Sequence, residues 1–247
     1  MNNPEALNLL QNHASVRKYK DTEIPNETLN NMIHAAQHAA SSHFVQAYSV
    51  IRVTDKDKLE SLAALASNGR QIKSAPVVLL FCADLNRVEY ACQRLGVDII
   101  NDTMEDFIVT IVDTSLFAQN FAIAAESQGY GICYIGGVRN NPAEISDLVG
   151  LPEQVLPLFA MTVGVPDEEQ WVKPRLPVEA ILHENVYDET KYGPILDTYD
   201  KEMSAYYQDR LSNNKDINWS ESMKNYLKNP RRKHMKEFVK SKGFDLT

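Results

Sequence analysis

Residues 105–128 read EDFIVTIVDTSLFAQNFAIAAESQ, the longest helical pattern in the chain. Phe107, Ile108, Ile111, Val112, Leu116, Phe117, Phe121 and Ile123 spread over more than one face. A helix apolar most of the way round belongs in a core or an obligate interface. Gly129 follows as its C′ residue. Working outward, residues 76–83 (PVVLLFCA) form a continuous apolar run of strand length, the pattern of a strand buried on both faces. Ile132–Ile135 reads as a strand ending in Gly136-Gly137, and Leu158–Val165 as a last buried strand. Tyr48–Val53 reads as a strand, and Pro4–Gln11, the stretch after Pro25, Lys58–Ala66 and Pro142–Val149 read as helices. Asn26 is placed to cap the second of these. The order of elements is that of an α+β or α/β protein.

The chain has 247 residues, and its 25 Lys and Arg against 33 Asp and Glu leave a formal charge of −8. That balance disfavours a protein that coats nucleic acid, which needs a basic surface. A length of this order allows one or two domains and a core that needs no staples. Cys82, Cys92 and Cys133 show no zinc spacing, so reduced thiols in a cytoplasmic protein are expected. The opening MNNPEALNLLQNHASVRKYK lacks the order of a signal peptide, and the apolar runs read as too short for a membrane span. From Pro166 the composition turns polar, and Glu179–Thr247 reads as a tyrosine-rich helical arm.

Motifs for a Rossmann dinucleotide site, a P-loop, a zincin and an α/β-hydrolase do not occur. Four short segments carry possible chemistry. His13-Ala14-Ser15-Val16-Arg17 offers an imidazole, a hydroxyl and a guanidinium, a donor set for phosphate. Ser41-Ser42-His43-Phe44-Val45-Gln46 offers small hydroxyl residues and an amide that could meet the edge of a heterocycle. Tyr134-Ile135-Gly136-Gly137-Val138-Arg139 runs a strand into glycines whose backbone N–H groups can approach a ligand. Lys173-Pro174-Arg175-Leu176-Pro177 projects two cations from a stiff backbone. Read singly, each segment is weak, and the ordinary reading as a helix-end loop, turn or Pro-rich linker stands against it. His34, His38 and His43 recur along one stretch without a carboxylate, so no metal is expected.

In this order and at these separations the four segments resemble the FMN-dependent nitroreductase family, and within it the larger, NADPH-preferring subgroup of bacterial nitroreductases and NADPH–flavin oxidoreductases. The likeness runs through the arm, with Tyr206-Tyr207, Ser212-Asn213-Asn214 and Trp219-Ser220. It implies an α+β fold with a central, mostly antiparallel sheet flanked by helices. It also implies an intertwined homodimer, a core over residues 1–178 that binds FMN, and a C-terminal arm over 179–247 packing on core and partner. By the same resemblance His13, Ala14, Ser15, Arg17, Lys173 and Arg175 hold the phosphate and ribityl chain, and Ser41, Ser42 and Gln46 contact the isoalloxazine from the partner. Gln71, Tyr134, Ile135, Gly136 and Gly137 line the ring, and Arg139, Arg210, Lys215 and Arg232 await the NADPH phosphates, Arg210 first. No side chain is expected to act as a catalyst, since flavin N5 carries the hydride.

Two positions depart from the family pattern. Ala14 stands where the family usually has Arg, and the turn that usually carries GGQ or GNQ reads Ser67-Asn68-Gly69-Arg70-Gln71. Either Gln71 has moved, or Asn68 or Arg70 replaces it. The expected activity is hydride transfer from NADPH through FMN to nitroaromatics, quinones, flavins or similar small acceptors by a ping-pong scheme, with no nucleic acid or membrane partner. An FMN carrier or redox sensor with little turnover is the competing expectation, and a thiol or metal enzyme built on Cys133 and the histidines a remote one.

Overall fold

The computed structural model describes residues 4–100, 103–168, 171–209 and 214–246. Two compact units emerge, one of Met1–Gln170 with Arg232–Thr247 and one of Trp171–Arg231.

In the first unit the chain runs α1 (Pro4–Gln11), α2 (Asn26–Ala36), a 3-10 turn at Ser42–Phe44, β1 (Tyr48–Arg52), α3 (Lys56–Leu65) and α4 (Gly69–Ser74). It continues through β2 (Val77–Asp84), α5 (Asn86–Gln93), α6 (Met104–Ser127), β3 (Gly131–Ile135), a 3-10 turn at Gly136–Asn140, α7 (Pro142–Val149) and β4 (Val155–Gly164). The strands form one antiparallel sheet in the order β1-β2-β4-β3. β2 is buried throughout, as its unbroken apolar run requires. Alternate residues serve opposite faces. Val77, Leu79 and Phe81 pack with Met32 of α2 and with Phe117 and Phe121 of α6. Val78, Leu80 and Cys82 pack with Leu62, Ile72 and Ile145 from α3, α4 and α7.

Three expectations shift. Pro25, not Asn26, is the cap residue of α2; Asn26 is already helical, and its side-chain oxygen accepts from Arg52 at 2.5 Å. α3 starts two residues early because Asp55 accepts from the Lys58 N–H at 2.9 Å. Among the described helices α6 is, by length and composition, long and apolar enough to cross a bilayer. In the fold it instead packs on the sheet and carries the buried Thr110, Asp113 and Thr114.

The second unit holds α8 (Val178–Ile181), α9 (Tyr192–Asp209) and α10 (Trp219–Leu227), with a core of Tyr199, Met203 and Tyr207 joined by Leu176, Ile217 and Trp219. α11 (Met235–Ser241) returns to the first unit. Compactness groups the chain differently from the expected core of 1–178 and arm of 179–247, and α11, within that arm, packs on the first unit. Phe238, Val239 and Phe244 pack with Leu85, Leu156 and Leu158. Gln154 Nε2 donates to the Gly243 carbonyl at 2.8 Å.

Candidate functional site

The segment after α1 lies along the free edge of β3. Val16, buried, donates its N–H to the Ile132 carbonyl at 2.9 Å. The approach needs Gly131, where a Cβ would stand 2.3 Å from Val16 Cγ2. Tyr19 locks the far end, its hydroxyl 2.7 Å from the Val16 carbonyl and 2.8 Å from Thr162 Oγ1, and burial pushes that phenol well above its usual range. Arg17 stays exposed; its guanidinium reaches the Ser15 carbonyl at 3.3 Å, and its N–H donates to Glu168 at 3.2 Å. His13 Nδ1 lies 2.5 Å from Glu126 Oε1, near the end of α6. Ala14 and Ser15 are partly buried between them.

β3 leads from this edge to the glycine turn. Tyr134 packs edge-on against Phe159, and burial, with help from the Glu126 carboxylate, pushes its phenol up to about 12. Ile135 is buried in the second core. Gly137 allows a close approach of the chain: a Cβ there would meet the Ala66 carbonyl at 2.0 Å and Asn68 Oδ1 at 2.5 Å. The turn 67–71 thus sits against the glycines. Within it Asn68 donates to Gln71 Oε1 at 3.0 Å, while Arg70 is exposed.

The loop 41–47 is built on a residue of α6. Asp113, fully buried, accepts from the Ser41 hydroxyl at 2.6 Å, the Ala47 N–H at 3.1 Å and the Ser42 N–H at 3.1 Å. A buried carboxylate is tolerable only with such donors. Ser41 Oγ in turn accepts from the Gln46 N–H at 2.7 Å. His43, Phe44 and Gln46 have φ of 47°, 59° and 54°, a left-handed region that costs an ordinary residue about 1–2 kcal/mol. Arg87 of α5 clamps the exit, donating to the carbonyls of Gln46 at 3.2 Å and Tyr48 at 3.0 Å and to Ser49 Oγ at 2.7 Å. Gln46, Tyr48, Arg87 and Phe117 line a cavity of about 430 Å³ beside the loop.

In the second unit Arg175 donates to the Lys173 carbonyl at 2.7 Å, and the Tyr199 hydroxyl to the Pro174 carbonyl at 2.9 Å. Lys173 Nζ lies 5.8 Å above the Tyr207 ring. The two cations are thus mounted on α9. Lys215 is exposed, and Arg210 lies outside the described residues. Arg139 and Arg232 flank Asn140 in the first unit: Arg139 donates to the Leu158 carbonyl and Arg232 Nε to Asn140 Oδ1 at 3.0 Å. Both therefore hold protein groups, a role that residue type alone does not reveal.

Burial raises the thiol pKa values of Cys82 and Cys133, the reverse of what a reactive cysteine needs. His34 and His38 stand edge to face at 5.2 Å on the exposed side of α2, and among the described residues no three His, Cys, Asp or Glu side chains gather to hold a metal. Sequence reasoning missed Asp113, Glu126 and Arg87. The signal for the first was there, a lone carboxylate inside an apolar helix.

Residues 10–165 match the nitroreductase family and residues 173–247 the nitroreductase family C-terminal domain. A Cr(VI) reductase of Pseudomonas sp. (strain G-1) is 52% identical over 96% of this chain and 98% of its own. An FMN reductase (NADPH) of Bacillus subtilis (strain 168) is 38% identical over 99% of both chains. The structure of B. megaterium NfrA1 superposes with a TM-score of 0.93 at 38% identity, covering 98% of this chain and 99% of that one. With two matching segments that leave little of the chain uncovered, and with relatives alike from end to end, the chain belongs to the nitroreductase family.

Proposed function

We propose that the protein is an NADPH-dependent flavin oxidoreductase that reduces small acceptors through bound FMN in a homodimer. The observation that carries this reading is the strip along β3, where His13, Ser15 and Arg17 run alongside a strand that ends in Gly136-Gly137. Imidazole, hydroxyl and guanidinium donors suit a phosphomonoester, and a glycine turn lets a planar ring meet backbone N–H groups, so the residues present fit FMN.

When bound, FMN supplies the redox chemistry, taking a hydride from NADPH and returning electrons to an acceptor. The chain's own residues bind and orient. Arg17 neutralises the phosphate, and His13, fixed by Glu126, adds a donor when its ring is the imidazolium; Lys173 and Arg175 are carried over to the phosphate from the family resemblance alone. The backbone at Gly136 and Gly137 and the side chains of Tyr134 and Gln71 frame the ring. Ser42 and Gln46 reach it from the partner. Arg210 and Lys215 meet the NADPH phosphates, ahead of the engaged Arg139 and Arg232. No side chain needs to exchange a proton for the hydride step. With the acceptor following NADP into the same place, kinetics are ping-pong, and nitroaromatics, quinones, flavins and chromate are the acceptor classes.

Two features support pairing of copies. α6 buries Thr110, Asp113 and Thr114 and exposes Ile108, Val112 and Leu116, the reverse of what a lone surface helix does. The loop on Asp113 and the His13–Glu126 pair are thirteen residues apart on α6, a separation of roughly 20 Å at 1.5 Å per residue. One ring on the β3 strip therefore draws Ser42 and Gln46 from a second copy. A cytoplasmic setting fits the three free cysteines. The test is uptake of FMN by the purified apoprotein and acceptor-dependent oxidation of NADPH with nitrofurazone or menadione. A colourless protein that takes up no FMN overturns the reading.

A further inference from the structure

We propose that Asp113, acting through Ser41, is the positioning residue that fixes the loop 41–47 in its ring-facing shape. The inference rests on the reading that this loop faces FMN.

The rest of the loop's support is local: its 3-10 turn closes through the Phe44 and Val45 N–H groups on the Ser41 and Ser42 carbonyls, and Ala47, buried with Leu85 and Leu156, anchors the exit. His43 and Phe44 are exposed, Phe44 at 77%, so apolar burial does not fix their backbone. Local preference opposes the shape, since His43, Phe44 and Gln46 are all left-handed and none is glycine. Hydrogen bonds to one carboxylate close the loop at both ends: Ser41 and Ser42 at its start, Ala47 at its finish. Ser41 completes the closure. Its proton goes to Asp113 and a lone pair takes the Gln46 N–H, so its hydroxyl donor is committed to the loop. Ser42 differs: its hydroxyl meets only His43 Nδ1, at 3.2 Å, and stays on the exposed side. Arg87 is a second clamp, but it holds only the carbonyls at the exit. The sheet and α6 thereby hold in place a loop that would otherwise have to be ordered by the ligand, and pre-ordering is what tightens binding.

The test uses full-length apoprotein titrated with FMN, reading flavin fluorescence for affinity and visible circular dichroism for ring orientation, beside hydrogen exchange at the Gln46 and Ala47 amides. Asp113→Asn turns a donor toward three donors. FMN affinity should fall about tenfold or more, the flavin dichroism should change, and both amides should exchange faster. Ser41→Ala should act in the same direction, and the double variant should lose no more than Asp113→Asn alone. His43→Gly placed on Asp113→Asn should recover part of the affinity, which general destabilisation would not allow. Asp113→Asn and Ser41→Ala proteins that bind FMN within about twofold of the parent, with unchanged dichroism and exchange, overturn the proposal. If Asp113→Asn does not fold, Ser41→Ala decides by the same criteria. If the parent itself takes up no FMN, the flavin reading fails separately, and amide exchange in Ser41→Ala still decides whether this scaffold exists.

Discussion

His13 Nδ1 and Glu126 Oε1 lie 2.5 Å apart, across the join between the segment after α1 and the last turn of α6. A carboxylate accepts only, so Nδ1 carries a proton toward Glu126, and Nε2 donates to a phosphate when the ring is the imidazolium. Glu126→Ala should free the ring and weaken FMN binding by about tenfold, the value of one charge-assisted hydrogen bond. In a His13→Ala background the same change should do little more. Additive losses would show that the two residues act independently.

Arg17 is exposed while its neighbour Val16 is buried and bonded to β3. Arg17→Ala should therefore leave Tm unchanged and lower FMN retention by about tenfold or more, with the loss growing smaller as salt rises. Arg175→Ala should behave alike. Equilibrium dialysis at two salt concentrations checks both, and unchanged retention removes the residue from the phosphate site.

The two glycines of the turn should respond differently. At Gly137 a new Cβ meets the Ala66 backbone carbonyl at 2.0 Å; at Gly136 it meets the guanidinium end of the Arg139 side chain at 3.2 Å. Gly137→Ala should cost about 1–3 kcal/mol and move the turn 67–71, whereas Gly136→Ala should fold near normally. Thermal unfolding of the pair decides, and equal Tm values would contradict the close approach.

Tyr134 gives an alkaline signature. Burial raises its phenol from the ordinary value of 10.0 to about 12 in the folded chain. The unfolded chain loses this proton first, so the contribution to stability is full below pH 10 and fades as pH climbs toward 12. Tyrosinate absorbance, compared between the parent and Tyr134→Phe, should show one tyrosine that ionises late. A difference curve centred at the ordinary value would contradict this environment.

Leu116→Asp places a charge in the exposed apolar stripe of α6. The variant should sediment as a monomer and retain little FMN, because Ser42 and Gln46 would no longer be delivered. A variant that is dimeric and yellow would move the interface elsewhere.

Much of this was legible in the sequence, and the misses have physical causes. The run 76–83 announced β2 because a doubly buried strand tolerates no polar side chain, and the structure buries it throughout. Pro142 opens α7 and Gly150, left-handed, ends it, as their backbone preferences dictate. The candidate donors His13, Ser15 and Arg17 could be proposed from the sequence because their chemistry is written in residue type. Their supports could not. Glu126 sits 113 residues from His13, and Asp113 72 residues from Ser41, so only the fold can pair them. Composition follows exposure, so it did not reveal that Phe238 and Phe244 pack on the first unit through a short apolar patch inside a polar stretch.

An anaerobic titration of the FMN-loaded protein with NADPH, followed through the flavin absorption band, tests the central claim most directly. The band should bleach in proportion to added NADPH, reach its end point at one NADPH per bound FMN, and return when menadione is admitted. A bound flavin that keeps its colour in excess NADPH would leave a carrier or sensor in place of the oxidoreductase described here.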